Sequence, residues 1–187
     1  MTAPDQDPRA ARTRAGLCEA LLDECSRRPL AEVSVAAVVR RAGVGRSTFY
    51  LHYRDLEALA VDACADVVRD AVEALHAWRG TPSPASPPPA LLDFFEKLTE
   101  HADLYRELLW PSGGPLGQVL HRDLRARSEA ERRLVGAPQP ELIASAVAAT
   151  FTGVLADWLH DRIEGTPAEI AGQVWPLLIA LHRVPGA

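Results

Sequence analysis

The chain has 187 residues, a formal net charge of −5 and 48% hydrophobic residues. That length allows one or two small domains with a real core, and the acidic balance excludes a generic coat for nucleic acid. No apolar run approaches the roughly 18 residues that span a bilayer, and the polar start Met1 to Pro8 lacks the apolar stretch of a signal peptide, so a cytoplasmic protein with no membrane partner is expected.

In chain order, residues 1–8 read as a disordered tail. A first helix is expected from about Arg9 to Ser26, with Leu17, Cys18, Leu21, Leu22 and Cys25 on one side and Pro29 past its end. Cys18, Cys25 and Cys64 form no CxxC pair. They read as reduced core thiols, with a redox-sensing role as the alternative.

From Ser34 onward the pattern tightens. Val35, Val38 and Val39 form an apolar stripe behind a Ser34 N-cap. Gly43 then stands where a left-handed C-cap residue is wanted. A second short helix, Arg46 to His52, carries Arg, Ser, Thr, Tyr and His. Two short helices across a tight turn make a helix-turn-helix, whose second helix enters the DNA major groove.

Asp55 is a credible N-cap for a long helix to about Trp78, with Leu56, Leu59, Ala63, Val67 and Ala71 at helical spacing. The run Gly80 to Pro89 reads as an extended or mobile connector. Further helices are expected at Leu91 to His101, Leu104 to Trp110, and from Leu116 to the charged stretch Arg122 to Arg133. After Gly136-Ala137-Pro138 come two strongly apolar helices, Pro140 to His160 and Pro167 to His182. No segment alternates with the period of a strand, so the chain reads as all-α with about nine helices.

Charge is unevenly spread. Residues 1–54 hold nine basic and six acidic side chains, whereas 55–187 hold eleven and nineteen. That is a phosphate-binding head on an acidic body. No Gly-rich phosphate loop, HExxH, GxSxG or Cys/His metal spacing is present, so no catalytic residue, cofactor or metal is expected.

These residues resemble the TetR-type (tetracycline-repressor-like) family of transcriptional regulators. The resemblance covers Thr13 to Leu59, about a quarter of the chain, through Leu17, Leu22, Ser34-Val35, RRAGVGRSTFY and the Tyr53/Glu57/Leu59 entry to the long helix. It implies that 9–54 is a DNA-binding domain and 55–187 a helical effector-binding and dimerisation domain, interrupted by the 80–89 connector. Arg46 then forks to guanine or phosphate, and Ser47 and Thr48 permit close approach. Tyr50 and His52 donate to phosphate, and Ser34 holds a phosphate at its helix N-terminus. Phe49 and Tyr53 are core. Arg40 and Arg41 read equally well as phosphate contacts or solvated charge. The family usually has Lys where Leu56 stands; Arg54 is the candidate to take over that contact.

The resemblance also implies a homodimer on a palindromic operator and a small-molecule effector of unknown identity. Phe151, Val154, Leu155, Trp158, Val174, Leu177 and Leu178 are the candidate dimer face, the alternative being the core of one chain. Tyr105, Trp110 and His121, each with a polar handle, are the candidate pocket residues among Trp78, Phe94 and Phe95. The implied mechanism is a repressor released from DNA by its ligand. The competing reading is a regulator that acts through a protein partner instead of a ligand.

Overall fold

The computed structural model describes residues 8–77, 83–110 and 114–182. Among them are nine α-helices and a 3-10 turn over Leu30–Glu32, with no strand, as an all-α chain requires. The chain forms two compact units, residues 1–66 and 67–187. The tail at 1–7, Trp78, the connector at 80–82 and the loop at 111–113 lie outside the described residues.

The first unit holds α1 (Pro8–Cys25), α2 (Val35–Ala42), α3 (Arg46–His52) and the opening of α4 (Leu56–Ala77). The Ser34 hydroxyl caps α2 by accepting from the Ala37 amide at 3.2 Å. Gly43 ends α2 at φ +67°, a conformation in which a Cβ would be strained. The Val44 amide then returns to the Val39 carbonyl at 3.0 Å, which turns the chain sharply into α3. Asp55 caps α4 by accepting from the Ala58 amide at 2.7 Å. The core of this unit is Leu17, Leu21, Val38, Phe49, Leu59 and Cys64, all fully buried.

The second unit is built from α5 (Pro89–Glu100), α6 (Ala102–Leu108), α7 (Pro115–Leu134), α8 (Pro140–Leu159) and α9 (Pro167–His182). α5, α7, α8 and α9 each begin with proline, which lacks only an amide that the first helical turn leaves unpaired. Pro89 therefore belongs to α5 rather than to the connector. The Ser83–Ser86 turn before it closes with a 3.1 Å backbone bond, and Trp175 Nε1 of α9 donates to the Ser83 carbonyl at 2.9 Å. α8 packs along α7 and α9, and α9 against α5. Phe94, Phe95 and Phe151 stack with centroids 5.4–6.2 Å apart, and Trp158 meets Phe95 edge-on at 5.3 Å.

One expectation needs correcting. α8 does have the length and mean hydropathy of a membrane-spanning segment. Its apolarity serves another purpose, because Ile143, Ala144, Val147, Phe151, Leu155 and Leu159 are buried inside the second unit. A helix apolar nearly all round is what a central core position demands.

Candidate nucleic-acid interface

α3 has two unlike sides. Phe49 is fully buried and Tyr53, just past its end, nearly so. Their rings meet at 6.0 Å and fix α3 to the core. Arg46, Ser47, Tyr50 and Leu51 face outward. They recur at the spacing that puts residues i, i+1, i+4 and i+5 on one side of a helix. Tyr50 is 57% exposed and Leu51 82%. Thr48 and His52 lie at the edges of this face, half-buried.

The flanking candidates are outward too. Ser34 is exposed at the N-terminus of α2, where its oxygen already serves as the cap. Arg54 is exposed and ion-paired with Asp55 at 3.0 Å. Arg41 is committed elsewhere: it donates to Glu24 Oε1 and Asp23 Oδ2, both at 2.8 Å. Arg41 thus ties α2 to α1, a role that neither reading offered, while Arg40 stays exposed.

A second polar group anchors the helix from below. The Tyr53 hydroxyl donates to Asp62 Oδ2 at 2.6 Å, and Arg14 Nη2 donates to the same oxygen at 2.9 Å. Burial, reinforced by the Asp62 bond, raises the Tyr53 phenol well above its ordinary value, so it stays a donor. Cys18 lies 3.7 Å from that hydroxyl. Burial pushes its thiol up to about 11, the opposite of what a redox-sensing cysteine needs.

Residues 17–63 match the family model of bacterial regulatory proteins, tetR family. Over these residues the chain is similar to the N-terminal domain of that family.

Solved structures resemble the fold of this chain over most of its length. A tetR-family transcriptional regulator from Streptomyces coelicolor is 22% identical, with 91% of this chain and 80% of that one covered at a TM-score of 0.64. A TetR transcriptional regulator from Streptococcus agalactiae 2603V is 21% identical, with 95% and 99% covered at 0.53. A transcriptional regulator from Rhodococcus sp. Rha1 is 20% identical, with 90% and 94% covered at 0.54. At such identities the likeness speaks for the fold. No curated protein matches the chain.

The second unit contains a cavity of about 430 Å³ between α7, α8 and the end of α6. Trp110 and His121 line it with Leu109, Gly117, Gln118 and Thr152, over a floor of Ala149, Gly153 and Ala156. His160 Nε2–H donates to the Leu109 carbonyl at 2.9 Å and holds the α6 end in place. Tyr105, expected beside them, is buried in the helical core and does not line the cavity. Its ring serves packing.

The expected dimer residues are also divided. Phe151, Leu155, Val174 and Leu178 are buried within the single chain. Their side chains belong to the chain's own core. Val154 and Trp158 are half-buried, and Trp158 Nε1 donates to the Gly165 carbonyl at 2.9 Å. Outside the cavity, Leu142 on α8 and Ala168, Leu177 and Ala180 on α9 are apolar residues that face outward.

Leu51, Asp62 and Gln118 escape a reading by residue type. Leucine is normally core and aspartate normally surface. A helical wheel drawn from Phe49 would have put Leu51 outside, beside Ser47. Nothing local in the sequence pairs Asp62 with Tyr53.

Proposed function

We propose that this protein is a dimeric repressor that binds a palindromic operator through α3 and is released by a small-molecule effector. The observation that carries the DNA reading is the outward face of Arg46, Ser47, Tyr50 and Leu51, set on a fully buried Phe49. Arg46 suits guanine edges or phosphate, Tyr50 a phosphate oxygen, and Leu51 a thymine methyl. Ser34, Thr48, His52 and Arg54 complete the contact set at the rim.

Dimerisation supplies the second half-site. The outward residues of α8 and α9, with Leu142 and Leu177 the largest, support it, joined by Val154 and Trp158 at the edge. The cavity supports the effector: its volume falls in the range of small-molecule sites, and Gln118 and His121 provide polar groups above an apolar floor. A protein that acts on chromosomal DNA works in the cytoplasm.

Selection of duplexes from a random library tests the first half. An inverted repeat with half-sites one helical turn or a multiple apart should be enriched. Selection of a single, non-repeated half-site would sink the dimer. For the second half, a compound that raises the melting temperature should also weaken DNA binding, and His121→Ala should abolish both effects. A protein partner that releases DNA while no compound shifts the melting temperature would favour the competing reading.

A further inference from the structure

Three helical elements of the first unit meet on one oxygen atom. Asp62 Oδ2 accepts from Tyr53 at 2.6 Å and from Arg14 at 2.9 Å. Arg14 belongs to α1, Asp62 lies in the second turn of α4, and Tyr53 is the C-cap of α3. α3 has only seven residues and a Gly45 N-cap that offers no side-chain bond. A helix so short takes its orientation from tertiary contacts.

Those contacts are of two kinds. Phe49 and Tyr53 press their rings into the core. Apolar packing is non-directional, so it sets the depth of α3 more firmly than its rotation. The bond from the buried Tyr53 hydroxyl to a carboxylate is directional and charge-assisted. It acts at the residue that follows the last turn of α3, where a small displacement swings Tyr50 and Leu51.

From this juxtaposition we infer that Asp62 is a positioning residue for the DNA-reading helix: through Tyr53 it fixes the rotation of α3 and so decides which side chains face the groove. The functional half of this rests on the DNA reading above. The structural half, that Asp62 holds α3, stands on the hydrogen bonds alone.

The test uses the full-length protein carrying Tyr53→Phe, which removes only the hydroxyl, Asp62→Ala, which removes the carboxylate at no cost in helix propensity, or both. Hydrogen exchange of the amides at 46–53 is read beside affinity for the duplex that the wild type selects. Each single variant should speed exchange at 46–53 about tenfold, the size of one lost bond to a charged group. Residues 35–42 should keep wild-type rates. Affinity should fall about tenfold with the salt slope unchanged, since base readout is lost and phosphate contacts are not. The double variant should be no worse than Asp62→Ala alone, because the Tyr53–Asp62 bond is already lost there. Asp62→Asn, which keeps an acceptor for the phenol, should restore slow exchange.

Wild-type exchange at 46–53 in both single variants would overturn the proposal. So would faster exchange spread evenly over the first unit, which marks a merely structural role. Should 46–53 respond as expected while the wild type selects no duplex, Asp62 still holds α3 and it is the DNA reading that fails.

Discussion

Arg41 donates its Nε–H to Glu24 Oε1 at 2.8 Å, and Glu24 is only 3% exposed although charged. Arg28 holds the other oxygen of Glu24 at 2.7 Å. A buried carboxylate is tolerated only when paired in this way. The pairing joins the end of α1 to the last turn of α2, so the angle at which the helix-turn-helix leaves α1 is set by charge as well as by Leu17 and Val38.

The consequence is a defined acid sensitivity. The Arg41 hydrogen bond, followed by the nearby Arg28, holds the Glu24 carboxyl below its ordinary value of 4.5. A depressed carboxyl contributes stability that is complete above the unfolded value and is lost as pH falls through the folded one. The wild type should therefore lose melting temperature below about pH 4.5 more steeply than Glu24→Gln, which has no proton to take up at that site. Parallel curves for the two proteins between pH 5 and pH 3 would show that Glu24 carries none of this dependence.

Phe49 anchors α3 to a fully buried position. Phe49→Ala should destabilise the first unit by about 3–5 kcal/mol, the usual cost of deleting a buried aromatic ring. Urea unfolding followed by circular dichroism measures this. A loss below about 1 kcal/mol would mean that α3 is not seated on the core through Phe49.

Leu51 is an aliphatic side chain on an otherwise polar outward face. If it reads a thymine methyl, replacing that thymine by deoxyuridine in the selected duplex should weaken the wild type by about 1 kcal/mol, the contribution of roughly one buried methyl group. Leu51→Ala should bind the two duplexes equally. Equal binding by the wild type would remove Leu51 from the reading surface.

Cys18 should be chemically quiet. With its thiol near 11, only about a thousandth is thiolate at pH 8. Iodoacetamide at that pH should label Cys18 in the folded protein far more slowly than in urea. Equal rates in the two would contradict the burial that raises it.

Much of this architecture is legible in the sequence because its signals are local. Ser34, Gly43 and Asp55 punctuate helices by their own side-chain or backbone chemistry, and the structure finds each in its expected role. Arg46–His52 is likewise framed by its neighbours. Periodicity, by contrast, reports burial and not what does the burying. Phe151 and Leu155 look the same to a helical wheel whether they face a second copy or their own α5, and here they are interior. Tyr105 offers a hydroxyl that suggests a pocket, yet its ring is core. The Tyr53–Asp62–Arg14 and Arg41–Glu24 groups bring together residues distant in the chain, and no spacing rule announces them.

We propose that α3, presented twice by a dimer, reads DNA with its outward face. The most direct test is the affinity of the wild type and of Arg46→Ala/Tyr50→Ala for the selected duplex over a salt series, with the oligomeric state followed by sedimentation. Wild-type binding should fall steeply with salt, and the double variant should remain a folded dimer yet lose at least about 2 kcal/mol of affinity. Undiminished binding by the double variant, or a wild type that sediments as a monomer on and off DNA, would contradict the proposal.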